Sequence, residues 1–299
     1  MPPRRYFLAA SFCAADRLVS ATHDGQRERS AENNIYVIKC LMRQPFLYKG
    51  TEVSQLSEEM RQERITTMNK IGIIGAMNVE VEKLKKDMSI KSVRNKAGME
   101  FCEGELKGKE VVVVRSGVGK VNAAVCTQIL IDLFEVDAVI NTGIAGSLNP
   151  AIDIGDIVIS TDVLHHDMDA VNFGYPLGQI PQMDVFSFPA DETLAQAAKN
   201  VCEQVNPEIK VFRGRVVSGD QFVADKAVKD RIVENFQGYC TEMEGAAIAQ
   251  TSYLNQIPFI IVRAISDKAD DSATMDYPTF EKKAVEHSVR LIEGLMETL

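Results

Sequence analysis

The 299-residue chain contains no apolar run near the roughly 20 residues that a membrane-spanning helix needs. Its six cysteines, Cys13, Cys40, Cys102, Cys126, Cys202 and Cys240, include no C-x-x-C pair. That spacing suits neither a structural zinc site nor a small disulfide scaffold, so a reducing, cytoplasmic setting is expected. Positive charge is also short. The formal net charge of −9 argues against nucleic acid or an anionic membrane as the main partner. The common nucleotide and metal signatures are missing as well. GIIGA is not spaced as G-x-G-x-x-G, SGVGK (116–120) is not a Walker loop, and HHDMD (165–169) is not H-E-x-x-H. No metal and no cofactor are expected, and HHDMD reads as part of a surface or interface loop. No internal repeat is visible.

What remains is a globular composition, 45% hydrophobic, long enough for one large or two ordinary domains. Residues 1–67 differ from the rest: they lack a sustained period and carry a net charge of +2, against about −11 for the remainder. MPPRRYFLAASFCAA imitates a targeting segment, but its apolar patch is short and Asp16 follows closely. The segment is expected to be a poorly ordered extension, with residues 68–299 forming one domain.

From Met68 onward, strand patterns alternate with helical ones. KIGIIGA, EVVVVRS (110–116), DAVINTGIAGS, GDIVIST (155–161), KVFRGRVVSGD and FIIVRAISD read as strands. MNVEVEKLKKDM, DETLAQAAKNVCEQV, DKAVKDRIVENF and EKKAVEHSVRLIEGLMETL read as helices between and after them. In the helix after SGVGK, Val121, Ala124, Val125, Ile129 and Leu133 share a face. This alternation predicts an α/β domain around a parallel or mixed sheet. Residues 163–190 form a long loop, a length usually reserved for function or disorder.

One stretch concentrates the unusual chemistry: EMEGAAIAQTSYLNQIPFIIVRAISD, from Glu242 to Asp267. An apolar strand buried on both faces carries Arg263 inside it and Asp267 at its mouth, both costly places for charge. Ligands of open α/β sheets bind beyond the carboxyl ends of the strands, where Asp267 stands. Taken singly, Glu244 and Asp267 have bland readings as helix caps, and Arg263 as the neutraliser of a buried carboxylate. Glu80 could be a solvated residue complementing a helix dipole. The two glycines of NTGIAGS could be simply a turn.

In this order, GIIGAMNVEVE, SGVGKVNAA, NTGIAGS, VSGDQFV, TEMEGAAIA and VRAISDKAD resemble the 5′-methylthioadenosine/S-adenosylhomocysteine nucleosidases of the purine nucleoside phosphorylase/uridine phosphorylase superfamily. The resemblance covers residues 68–299 and none of 1–67. It implies a three-layer α/β/α sandwich with a central mixed sheet. It also implies hydrolysis of an N-glycosidic bond to adenine and a 5-substituted ribose, within methionine salvage and the recycling of S-adenosylmethionine by-products.

Carried over by motif, Glu80 would activate water and Asp267 would protonate adenine at N7. Glu244 would hold the ribose hydroxyls over Met243, and Phe222 would stack on the purine, whose edge meets the Val223 backbone. Gly146, Ser266 and Met77 would line the pocket, and Arg263 would help position the water. Phe173, Tyr175 and Pro181 would come from the neighbouring subunit of a homodimer, and Tyr277 would sit near the adenine. Such chemistry needs a raised pKa at Asp267 and an ionised Glu80 favoured by Arg263.

One departure is Ile144, where some relatives carry a serine that touches the water. The nearest rivals are a phosphorylase, a futalosine-type hydrolase with another 5′ substituent, and a non-catalytic adenosine sensor. A phosphorylase would need arginines or a backbone nest for phosphate. Here Asn141 and Thr142 precede the glycine turn, and Glu80 would repel the dianion.

Overall fold

The computed structural model describes residues 68–270 and 272–299, without the side chains of 274–278. The expectation for residues 1–67 lies outside the described residues. Strands β1 (Lys70–Gly75) and β4 (Lys109–Arg115) are β-branched runs buried on both faces, and they pair in parallel. Helix α1 (Asn78–Asp87) follows β1 through a turn with no room to spare. A Cβ on Gly75 would lie 2.6 Å from Val81 Cγ1.

A hairpin that the sequence pattern does not announce, β2 (Ser89–Lys96) and β3 (Met99–Leu106), extends the sheet beyond β4. Its signal is weak because β2 is an edge strand with no buried residue. The two-residue turn is made by Ala97 and Gly98, both at positive φ, as a tight hairpin demands.

On the other side of β1 lies β5 (Ala138–Ser147), buried along its whole length. It pairs in parallel with β10 (Phe259–Asp267). From β10 the ladder continues antiparallel to β6 (Ile157–His165), then parallel to β8 (Val211–Ser218) and β9 (Cys240–Glu242). Strand β9 pairs with β5 again, so these five strands close into a ring. The remaining strand, β7 (Phe188–Pro189), caps β6. The mixed sheet was expected; its partial closure was not legible, because pairing partners are set by register and not by pattern.

Apolar side chains of α1, α3 (Glu192–Val205) and α6 (Ala273–Thr298) pack on one face of the sheet. Those of α2 (Lys120–Phe134) and α5 (Gly245–Leu254) pack on the other. The three layers of the expected sandwich are therefore present, with α4 (Lys226–Phe236) over a third cluster around Leu164, Val217 and Val223. Helices α3 and α4 begin at aspartate caps: Asp191 accepts from Leu194 N–H at 3.0 Å and Asp225 from Val228 N–H at 2.9 Å.

Three readings are corrected. Helix α6 begins at Ala273, well before the predicted start at Glu281, because the buried apolar stripe that announces it becomes regular only from Ala284. In α2 the buried stripe is Ala123, Cys126, Thr127, Leu130 and Phe134, whereas Val121, Val125 and Leu133 of the expected face are exposed. The helix is apolar on two sides, so periodicity alone selected the wrong one. His165 and His166 are buried, because β6 runs on to His165 and carries the pair inward.

Candidate active site

A cavity of about 400 Å³ opens beyond the carboxyl ends of β1, β5 and β10. Glu80 and Asp267 both line it, although 187 positions apart in the chain. So do Met77, Gly146, Phe222, Val223, Met243, Glu244 and Ser266, with Val118, Ile144 and Glu242 among the others.

Glu80 is brought in by the tight turn after β1. Its Oε2 accepts from the N–H groups of Ala76 at 2.6 Å and Met77 at 2.8 Å. Its Oε1 accepts from Ile144 N–H at 3.2 Å. The contact at position 144 is therefore made by backbone, with an apolar side chain in place of a hydroxyl. Burial holds the Glu80 carboxyl above its ordinary 4.5, and the nearby Arg263 and three N–H donors offset this only in part. The pull expected from Arg263 is present but outweighed.

Asp267 arrives from the opposite wall. The ladder between β10 and β5 slips between Ile265 and Asp267, a bulge that lets successive residues, Ser266 and Asp267, face one cavity. Asp267 is 2% exposed, and it accepts from Ala269 N–H at 2.8 Å and Ser266 Oγ at 2.9 Å. Gly146 is required opposite it: a Cβ there would lie 2.7 Å from Asp267 Oδ1.

Arg263 lies behind the wall and does not line the cavity, being fully buried. Its Nη2 donates to Asn141 Oδ1 at 2.5 Å and to Glu242 Oε2, and it stands 3.6 Å from Glu244 Oε2. Its Nη1 presses on Gly143, where a Cβ would fall 2.3 Å from Nη1 and 2.6 Å from Glu80 Oε1. Glycine at 143 is what lets the guanidinium approach Glu80.

Glu242 is the principal partner of Arg263. It also accepts from Ser218 Oγ, and from the N–H groups of Glu244 at 3.1 Å and Gly245 at 2.8 Å at the start of α5. Burial pushes its carboxyl up, but Arg263, Ser218 and Gly245 together hold it below the usual range. Glu244 accepts from Gly119 N–H at 2.8 Å, and burial beside Glu242 pushes it up to about 7. Three carboxylates thus share one buried guanidinium. The best satisfied of them stays ionised, and the others hold protons more readily. Sequence reasoning missed Glu242 as a site residue. The signal was available: a buried arginine needs a carboxylate, and the EME triplet offers two.

Phe173 is 84% exposed and Tyr175 half-buried, and neither lines the cavity of its own chain. Pro181 is likewise outside it. The side chain of Tyr277 lies outside the described residues. No group of histidine, cysteine and carboxylate side chains suited to a metal ion occurs among the described residues.

This architecture is that of the Phosphorylase superfamily, whose family model matches residues 70–297. A 5′-methylthioadenosine/S-adenosylhomocysteine nucleosidase of Chromohalobacter salexigens is 45% identical over 233 residues, spanning 78% of this chain and 98% of the relative. Among solved structures, the Colwellia psychrerythraea 5′-methylthioadenosine/S-adenosylhomocysteine nucleosidase in complex with adenine aligns with a TM-score of 0.75 and 38% identity, over 78% of this chain and 96% of the other. The futalosine hydrolase of Helicobacter pylori aligns with a TM-score of 0.73 and 32% identity, over 78% and 100%. The chain belongs to this superfamily and, within it, to the 5′-methylthioadenosine/S-adenosylhomocysteine nucleosidase family.

Proposed function

We propose that this chain hydrolyses the N-glycosidic bond of 5′-methylthioadenosine and S-adenosylhomocysteine, and of 5′-deoxyadenosine, to adenine and the 5-substituted ribose. The observation that carries the reading is the single cavity with Glu80 on one wall and Asp267 on the other. Bond cleavage passes through an oxocarbenium-like state, and the adenine anion is a poor leaving group. Asp267 protonates the purine as the bond breaks, and Glu80 takes a proton from the attacking water. Glu244 grips the ribose hydroxyls over Met243, and Phe222 and Val223 hold the base. Arg263 acts through Glu242 and Glu80, from behind the wall.

The test is release of free adenine from the three nucleosides and aminofutalosine, with and without phosphate. Wild-type protein should release adenine at a rate that phosphate does not raise. Asp267→Asn should cut that rate by roughly 10²–10⁴ while keeping the fold. Phosphate-dependent release would make the chain a phosphorylase, and a variant altered only in adenosine affinity would make it a sensor.

The same reading makes the chain a homodimer whose loop carrying Phe173, Tyr175 and Pro181 completes the partner's pocket. Support comes from exposed apolar side chains at and along α2, Val118, Val121, Val125 and Leu133, of which Val118 also lines the pocket. In sedimentation the wild type should run as a dimer and Val121→Asp as a monomer with a raised KM; a monomeric wild type sinks this part. A cytoplasmic, reducing location is supported by Cys102, Cys126, Cys202 and Cys240, which are buried free thiols.

A further inference from the structure

Two motifs that the nucleosidase reading leaves unused, HHDMD and the lysine of SGVGK, meet at one point. Lys120 Nζ donates to both carboxylate oxygens of Asp167, each at 2.7 Å. Asp167 Oδ2 also accepts from Asp220 N–H at 3.0 Å, and Asp220 Oδ1 accepts from Lys120 N–H at 2.9 Å. The contacts form a closed ring across three segments: the residues just after β6, the start of α2 and the loop after β8. Both side chains of the ion pair are only 22% exposed. Burial would push the Asp167 carboxyl up, but Lys120 and Asp220 N–H outweigh it and hold the group below the ordinary 3.8.

Two of the three segments carry a pocket contact within one to three residues of the ring. Next to Lys120, Gly119 N–H holds Glu244. After Asp220 come Gln221, Phe222 and Val223 of the cavity wall. The turn and the loop touch closely: Gly119 has φ +96°, and a Cβ on it would lie 3.1 Å from Asp220 Oδ1. The third segment supplies Asp167, which reaches both.

We propose that Asp167 is a positioning residue for nucleoside binding, its carboxylate fixing the Gly119 turn and the Phe222 loop at the separation that grips ribose and base together. This rests on the site reading given under Proposed function. The groups it positions, Glu244 and the loop, hold the substrate, whereas Asp267 and Glu80 are anchored elsewhere. Loss of the clamp therefore falls on KM and not on kcat.

The experiment is steady-state kinetics of the full chain on 5′-methylthioadenosine. Asp167→Asn and Lys120→Met should each raise KM by about tenfold with kcat within about threefold, and the double variant should be no worse than either single. Lys120→Arg, which can still serve both carboxylate oxygens, should stay within about threefold of wild-type KM. Arg290→Met breaks a pair at 2.7 Å with Glu208 far from the pocket and should move neither constant. Unchanged KM in Asp167→Asn and Lys120→Met overturns the proposal, as does a fall in kcat that tracks lost thermal stability. If Asp167→Asn does not fold, the two lysine variants decide the matter. A wild type that releases no adenine sinks the function reading itself, and this proposal with it.

Discussion

The open wing of the sheet, β1 to β4, and the closed ring of β5, β6, β8, β9 and β10 bury different kinds of side chain. Every buried position in the four wing strands is apolar or glycine, from Ile71, Ile73 and Ile74 to Val111, Val112, Val113 and Val114. The ring buries Asn141, Ser160, Ser218, Glu242, Arg263 and Asp267. The wing is held by burial that any close-packed apolar set could supply. The ring's charged groups depend on geometry, as the bonds from Arg263 to Asn141 and Glu242 show. The wing carries apolar core alone, the ring carries apolar core and buried charge together, and the two meet at Glu80, which hangs on the end of β1 and reaches toward β10.

The largest effect expected from breaking this contrast comes from Arg263→Met. It leaves Glu242 buried among Ser218 and the α5 N–H groups without its cation. Removing one partner of such a pair costs on the order of 3–5 kcal/mol. Urea denaturation at pH 7 should show this loss, together with a collapse of adenine release. A stability within about 1 kcal/mol of wild type would mean that the carboxylates, and not the guanidinium, organise the ring.

Legibility in the sequence follows the same division. The wing strands β1 and β4 were readable because a run such as VVVV has one physical meaning when bounded by turns. The edge hairpin of β2 and β3 was not, since β2 buries no residue and so has no pattern to display. In and beside the ring, Asp267, Glu244 and Arg263 were conspicuous as charge in apolar surroundings. That Glu242 and not Glu244 is the close partner of Arg263 depends on β9 pairing with β8 and β5, a long-range register that local pattern does not encode. The burial of His165 and His166 was missed for the same reason, as β6 extends past the point where its apolar run ends.

A smaller effect separates the two regions by pH. Glu244, 6% exposed, is pushed up to about 7 from an ordinary 4.5, so the folded state binds its proton more tightly than the unfolded chain does. The stabilisation is fully present below about pH 4.5 and is lost as pH rises through about 7. Between those limits the group's contribution should fall by roughly 2–3 kcal/mol, on about 1.4 kcal/mol per pKa unit. Glu244→Gln cannot ionise, so the stability of wild type minus that of the variant should decline by this amount across the window. The wing supplies the contrast: Ile73→Val removes one buried methylene from an apolar site between Val113 and Ile140, and should cost about 1 kcal/mol equally at pH 4.5 and pH 8. Matched urea titrations of both variants at the two pH values test this. A flat difference for Glu244→Gln would show that Arg263 and Gly119 keep that carboxylate ionised despite its burial, and the protonatable member of the cluster would then be Glu80, whose carboxyl burial also raises.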